Sequence, residues 1–211
     1  MEHPVLETLN VSRETSERLK TYVELLRKWQ SRINLVAEST LSDVWRRHIL
    51  DSAQLLPLAS PDARNWIDLG SGAGLPGLVL AILLRERAGA FVTLIESNRK
   101  KSAFLAEAIR VTQAPARVLT VRIEQAISRQ NPLSCDVVTA RALASLPQLL
   151  NWASPLLMAG AQGLFLKGQD VDAELTEAAK SWNIKMELLP SQSDPSGRIV
   201  CVKALASRQP N

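Results

Sequence analysis

Residues 65–77, NWIDLGSGAGLPG, constrain this chain more than any other stretch. Trp66, Ile67 and Leu69 read as the end of a buried strand. Residues 75–84 read as a helix with Pro76 in its first turn, where a missing N–H costs nothing. Between them glycines fall at 70, 72, 74 and 77. Strand, glycine turn and helix N-terminus together suit a nucleotide-like ligand. Glycine permits φ > 0 and lets a ligand approach the main chain where a Cβ would clash. Four glycines at this spacing outweigh a lone match.

The stretch carries two patterns. Gly72 to Gly77 satisfies G-x-G-x-x-G, the dinucleotide fingerprint. Asp68 to Gly74 reads D-x-G-x-G-x-G, which resembles motif I of the S-adenosylmethionine-dependent methyltransferases. Asp68 favours the second pattern. An anionic pyrophosphate gains nothing from it, whereas the ammonium and sulfonium of S-adenosylmethionine do. The plainer reading of Asp68 is a turn carboxylate.

With 211 residues the chain is long enough for a substantial core, and 46% hydrophobic with 22% charged residues is ordinary for a globular protein. The longest charge-free run, residues 142–166, is interrupted by Pro147, Asn151, Pro155, Gly160 and Gly163, so no membrane span is expected. The first ten residues lack a basic segment followed by an apolar one, so the expectation is a cytoplasmic protein. Cys135 and Cys201 then read as reduced core residues in strand-like runs. Nothing has metal-ligand spacing, so no metal is expected. The net charge of +4 arises in residues 85–129, which hold nine basic and four acidic residues. A basic stripe beside a cofactor site suits a phosphate-rich substrate, and a solvated surface explains the charge equally well.

Residues 12–31 read as an amphipathic helix capped by Ser12, with Leu19, Tyr22, Val23, Leu26 and Trp29 on its period. Residues 41–56 read as a second helix. Together they make residues 1–60 an N-terminal helical extension, packed onto one compact unit over 61–211. In that unit strand-like runs fall at 65–69, 91–95, 118–121, 135–139, 163–166, 185–189 and 199–204. Helix-like runs fall at 75–87, 99–113, 124–130, 145–158 and 170–182. The alternation implies βαβ units and a parallel sheet. Only eight residues, 190–197, separate the last two runs, so these must form an antiparallel hairpin. The expected fold is α/β and Rossmann-like, with a seven-stranded, mostly parallel sheet and an antiparallel last strand.

In such a sheet the ligand sits at the carboxyl ends of the strands. Glu96 follows the second strand and can accept hydrogen bonds from both hydroxyls of a ribose; otherwise it caps the next helix. Glu124, after the third strand, faces an adenine or is a plain helix N-terminal acid. After the fourth strand, residues 139–145 lack both the Asn/Asp-Pro-Pro-aromatic motif of amine methylation and the Pro-Cys nucleophile of pyrimidine methylation. An acceptor that needs no activation remains. Guanine nitrogen 7 has a free lone pair at neutral pH, so catalysis reduces to positioning.

The chain resembles the RsmG (GidB) family of small-subunit ribosomal RNA guanine-N7 methyltransferases. The likeness rests on Ile33-Asn34-Leu35, on residues 47–52 (RHILDS), on the glycine turn, on Arg141-Ala142 and on Leu166-Lys167-Gly168. It implies methyl transfer from S-adenosylmethionine to nitrogen 7 of a single guanine, guanine 527, of 16S ribosomal RNA, either naked or in the 30S particle. It also implies cofactor contacts at Gly70, Leu75, Ile123, Glu124 and Arg141, to which the pattern reading adds Asp68, Gly72, Gly74 and Glu96.

Other residues carry two readings each. His48, with Asn34 and Asp51 near it in sequence, shapes the pocket edge or is a satisfied interior histidine. Arg141 meets a phosphate, the cofactor carboxylate or the guanine edge, or is a structural cation. Arg99, Lys100 and Lys101 open a helix, where cations oppose the dipole, and are candidates for RNA contact. Lys167 is another, or a snorkelling surface lysine. No essential general base is expected; Arg141, His48 and Asn34 are candidates for positioning only. The expected protein is a monomer that binds RNA and no membrane. A small-molecule methyltransferase and a non-catalytic RNA-binding module that holds the cofactor are the alternatives.

Overall fold

A computed structural model describes residues 3–127 and 133–208. The chain opens with α1 (Pro4–Leu9) and α2 (Arg13–Gln30). Ser12 caps α2 by accepting from Thr15 N–H at 3.2 Å. Leu19, Tyr22, Val23 and Leu26 fill its buried face, at the helical period read from the sequence.

The second expected helix, 41–56, is broken into unlike turns. Glu38–Asp43 is a 3-10 helix, Trp45–Leu50 a π turn and α3 (Asp51–Ala53) a single α turn, with a further 3-10 turn at Leu56–Leu58. The apolar period survives this, because each turn type still returns side chains to one face. Its hydrogen-bond pattern does not. Asp51 N–H bonds to the carbonyls of Arg46 and His48, and passes over that of Arg47. Widened turns of this kind concentrate at functional sites.

From residue 65 strand and helix alternate. They run β1 (Asn65–Leu69), α4 (Gly77–Leu83), β2 (Phe91–Ile95), α5 (Arg99–Thr112), β3 (Ala116–Leu119), α6 (Ile123–Ala126), β4 (Val137–Arg141) and α7 (Leu146–Met158). There follow β5 (Gln162–Lys167), α8 (Val171–Ala178), β6 (Trp182–Pro190) and β7 (Arg198–Ser207). The sheet order is β3-β2-β1-β4-β5-β7-β6. The first five strands pair in parallel, and β7 enters antiparallel between β5 and β6. This is the expected seven-stranded sheet with its antiparallel last strand. The expected helix over 124–130 begins at Ile123, and its last three residues lie outside the described ones.

Each sheet face has its own core. Tyr22, Leu26, Leu78, Leu80 and Phe104 belong to one, so the N-terminal helices share a core with α4 and α5. Leu149, Leu150, Phe165 and Val200 belong to the other, beneath α7. Central strands covered on both sides read as continuous apolar runs, which is why β1, β2 and β4 were visible in the sequence.

Cys201 is buried on β7, as expected. Cys135 is not in a strand: β4 begins two residues later, and Cys135 sits half-buried in the loop before it. Burial and the neighbouring Asp136 push its thiol up to about 12. Both cysteines are free. Among the described residues no helix is long and apolar enough to cross a membrane. Among them, too, no cluster of three or more His, Cys, Asp or Glu could hold a metal ion.

Candidate active site

The glycine turn leaves β1 at the point where the strand order reverses, between β2 on one side and β4 on the other. Gly70 and Gly72 take φ of 63° and 56°, values that favour glycine. A Cβ at Gly77 would stand 2.5 Å from Cβ of Asp68 and from Leu94 Cδ2. That glycine therefore sets how closely α4 packs on β1 and β2.

Two cavities meet over this turn. The larger, about 500 Å³, is lined by Leu35, Val36, Thr40, Arg47, His48 and Asp51 of the N-terminal segment, by Leu75, Arg141, Leu166 and Lys167, and by the loop between β6 and β7. The smaller, about 240 Å³, is lined by Glu96, Ser97, Arg122, Ile123, Glu124, Leu143 and Trp152. Gly70, Gly72, Lys101 and Ala142 line both. The two form one groove along the carboxyl edge of the sheet, the ligand-binding edge of an open α/β fold.

At the small end Glu96 is buried. Its Oε2 accepts from Gly72 N–H at 2.9 Å and its Oε1 from Asn98 N–H at 2.7 Å. Each oxygen keeps a lone pair. Glu124 Oε1 accepts the indole N–H of Trp152 at 2.9 Å. Asn98, rather than Glu96, caps α5, with its Oδ1 accepting from Lys100 and Lys101 N–H.

At the large end the guanidinium of Arg141 is tied to the N-terminal segment. Its Nη1 donates to Arg47 O at 3.0 Å and to Asp51 Oδ2 at 2.9 Å. Its Nη2 lies 2.7 Å from His48 Nδ1. Arginine can only donate, so Nδ1 accepts and the His48 proton is on Nε2. That proton points to Thr40 Oγ1 at 2.7 Å, whose hydroxyl donates to Ala37 O. His48 is 4% exposed. Burial, then the charge of Arg141, lower its pKa to about 4. His48 is thus neutral near pH 7, with both ring nitrogens engaged.

Several expected site residues are placed elsewhere. Asp68 is 0% exposed and lines neither cavity. Its Oδ1 accepts from Thr139 Oγ1 at 2.7 Å, and its Oδ2 has no hydrogen-bond partner among the described residues. Burial raises its pKa to about 6, against the pull of Ser71, Thr139, the Gly77 amide and Arg141. Gly74 also lines neither cavity; it takes φ of 88° over α4. Asn34 is exposed, in a separate shallow depression that touches the groove only at Ala37. Lys167 does line the larger cavity, though not as a free surface cation. Its Nζ donates to Ala144 O at 2.8 Å and pairs with Glu174 at 2.6 Å.

The basic run divides, with Lys101 at the junction of the cavities and Arg99 and Lys100 exposed outside them. Arg122 lines the smaller cavity, and Arg129 lies outside the described residues. Arg85, Arg87, Arg110 and Arg117 bond to local partners and line neither cavity.

Sequence reading missed Trp152 and the β6–β7 loop with Ser191, Ser193 and Asp194. The loop's run of Ser, Asp, Pro and Gly signalled only a turn. Trp152 gave no signal beyond its place on a helix.

The sheet order and the groove over a glycine turn define a class, the methyltransferases with a Rossmann-like sheet. A SAM-dependent methyltransferase from Aquifex aeolicus superposes with a TM-score of 0.57 at 13% identity, over 85% of this chain and 97% of that one. TrmK of M. capricolum, solved with S-adenosylhomocysteine, gives 0.52 at 13% identity, over 72% and 66%. At such identities the likeness is one of fold. The chain belongs to the GidB family, rRNA small subunit methyltransferase G, whose model matches residues 15–195. It is 56% identical over 203 residues to the ribosomal RNA small subunit methyltransferase G of Methylobacterium radiotolerans, covering 96% of this chain and 94% of that one.

Proposed function

We propose that this chain transfers a methyl group from S-adenosylmethionine to nitrogen 7 of one guanine of 16S ribosomal RNA, guanine 527 by family likeness. The observation that carries the reading is the state of His48. It is the one histidine lining the groove among the described residues. It is neutral, and its free lone pair is already taken by Arg141. An exocyclic amine must lose a proton to become a stable product, and His48 offers no site to take it. Nitrogen 7 has no proton to lose and attacks with its own lone pair.

The groove fits the cofactor. Glu96 keeps two lone pairs for a pair of ribose hydroxyls. The backbone at Gly70 and Gly72 has no Cβ to fill the groove floor. The Trp152 indole fixes one oxygen of Glu124, and the other has no partner among the described residues at the expected adenine end beside Ile123. When bound, S-adenosylmethionine supplies an electrophilic methyl on its sulfonium. The chain's own part is to hold the guanine in line at the large end, where Leu35, Val36 and Leu75 exclude water and Arg141 fixes orientation. Transfer to nitrogen 7 would leave the positive charge on the guanine ring, and the residues of the groove would have no proton to take up.

Mass spectrometry of nucleosides tests this. Naked 16S RNA and 30S particles from cells that lack the activity are incubated with the protein and S-adenosylmethionine. The expected product is 7-methylguanosine from at least one of the two. A methyl on an exocyclic amine, or none on either substrate, overturns the reading.

A further inference from the structure

Three remote segments meet at the carboxylate of Asp51. Its Oδ2 accepts from Arg141 at 2.9 Å. Its Oδ1 accepts from Gln54 Nε2 at 2.9 Å, from the Ser191 hydroxyl at 3.3 Å and from the Ser193 hydroxyl. Gln54 reinforces this support, since its Oε1 accepts Gln192 N–H at 2.7 Å. The Asp51 and Arg141 side chains are 14% and 17% exposed. A pair this buried is favourable only when its other lone pairs and protons are satisfied. Asp51 meets that condition, with donors on both oxygens.

Arg141 is committed on one side only. Of its five N–H bonds, Nη1 directs two to Arg47 O and Asp51, and Nη2 directs one to His48. Among the described residues the Nε–H and the second Nη2–H have no partner. The residue lines the larger cavity. A planar guanidinium held at one edge presents its other donors in a fixed direction. Among the described residues, Asp51 is the one carboxylate paired with it.

We propose that Asp51 is a positioning residue of the methyl-transfer site, which sets the direction in which Arg141 presents its remaining donors to the groove. The β6–β7 loop supports Asp51 from behind, and that explains why a turn so far along the chain lines the cavity. The inference rests on the methyl-transfer reading of the groove.

A double-mutant cycle tests it, because only groups that act through one another give non-additive losses. Asp51→Asn keeps the size and removes the charge; Arg141→Gln removes the target. Two quantities are read below the melting temperature of every variant. They are the dissociation constant for S-adenosylhomocysteine by calorimetry and the single-turnover rate of 16S RNA methylation. Arg141→Gln is expected to worsen at least one by about tenfold or more. Asp51→Asn is expected to worsen the same quantity by about tenfold, and the double variant to match Arg141→Gln within about twofold. Losses that multiply, or an Asp51→Asn variant at wild-type level in that quantity, overturn the proposal. So does an Arg141→Gln variant that changes neither. Asp51→Glu, which keeps the charge but moves it, is the second variant if Asn prevents folding, with the same non-additivity expected. If the wild type methylates no RNA, the methyl-transfer reading fails, and the calorimetric arm still decides the coupling.

Discussion

At the Glu96 end of the groove, the lining residues belong to the end of β2, to the loops that leave the sheet after β1, β2, β3 and β4, or to the helices that follow. At the Arg141 end the wall is assembled from far apart. Residues 35–51 and 191–198 supply it, joined by an Arg141–Asp51 pair 90 residues apart and an Arg47–Asp194 pair 147 apart. The first end is a property of the strand–turn–helix unit and of local backbone geometry. The second exists only when the termini are folded onto the sheet. Damage at the small end should therefore appear in cofactor affinity. Damage at the large end should appear in coupling between side chains.

The largest effect is expected where local geometry has no slack. Gly77→Val places a branched side chain where Asp68 and Leu94 already stand 2.5 Å from a Cβ. Overpacking of this kind costs about 3 kcal/mol. For a chain of this size that lowers the melting temperature by roughly 10 °C. Gly89→Ala is the control: φ is 75°, but nothing lies within 4 Å, so the cost is backbone strain of about 1 kcal/mol. Equal melting temperatures for the two variants would break the claim that the small end is fixed by close helix packing.

A loss of similar size is expected at the large end, but only at low pH. His48 is held neutral, with a pKa lowered from 6.5 to about 4. Unfolded chains take up its proton below pH 6.5, and folded ones do not until about pH 4. The stability linked to His48 is therefore complete above pH 6.5 and lost as the pH falls towards 4, in total about 3 kcal/mol. Asp68 acts with the opposite sign, since its raised pKa of about 6 makes stability fall as pH rises from 3.8 to 6. Denaturant titrations of wild type and His48→Asn between pH 4 and 7 isolate the His48 part. A difference that stays constant across that range would mean that His48 titrates normally.

How far each end was legible follows from the same contrast. The glycine turn, Glu96 and residues 123–124 were readable because strand, turn and helix signals lie within a few residues of the ligand groups. Asp68 was read as a ligand group because the pattern gives its spacing but not its direction. In a strand of period two, it points under α4 towards Thr139 instead of along the groove. The π turn at 45–50 left the apolar period intact, so nothing in the sequence marked the exposed carbonyl of Arg47. Asn34 directly precedes Leu35 of the groove wall yet lines a separate depression; it was placed with His48 by nearness in sequence alone. Ser193 could not be found as a partner of Asp51, because a side-chain pair 142 residues apart has no local signature; the pairing of Lys167 with Glu174 depends on how α8 folds back after β5.

Glu96→Ala sharpens the comparison at the small end. Two charge-assisted hydrogen bonds to the ribose are lost, each worth about 1.5–3 kcal/mol before water replaces them in part. The turn also loses its acceptor for Gly72 N–H. S-adenosylhomocysteine affinity should fall roughly 10- to 100-fold, with the folded spectrum unchanged. An unchanged dissociation constant by calorimetry would remove Glu96 from the cofactor site.

A smaller effect is expected from charge at the junction. Neutralising Arg99, Lys100 and Lys101 together should flatten the log–log salt slope of RNA binding by about 2 if all three meet phosphates. Lys101 alone reaches both cavities, so Lys101→Gln by itself should lower methylation, whereas Arg99→Gln with Lys100→Gln should change only binding. Identical behaviour of all three in both assays would mean that the run is only a solvated face of α5.

The smallest effect is predicted for the histidine that lines the larger cavity. His48→Asn removes the one imidazole of the groove, and under nitrogen-7 transfer no proton has to leave the acceptor. An amide can still accept from Arg141 through its oxygen and donate to Thr40 through its nitrogen, as the imidazole does. The single-turnover rate should therefore stay within about tenfold of wild type, well short of the loss expected when a general base is removed. The rate profile from pH 6 to 8 should also show no limb that depends on His48, because a group with a pKa of about 4 does not titrate there. A thousandfold loss with cofactor and RNA binding intact would mean that a proton is removed in the reaction. The acceptor would then be an exocyclic amine, and the hydrogen bond from Arg141 to His48 would have to break during turnover to free the base.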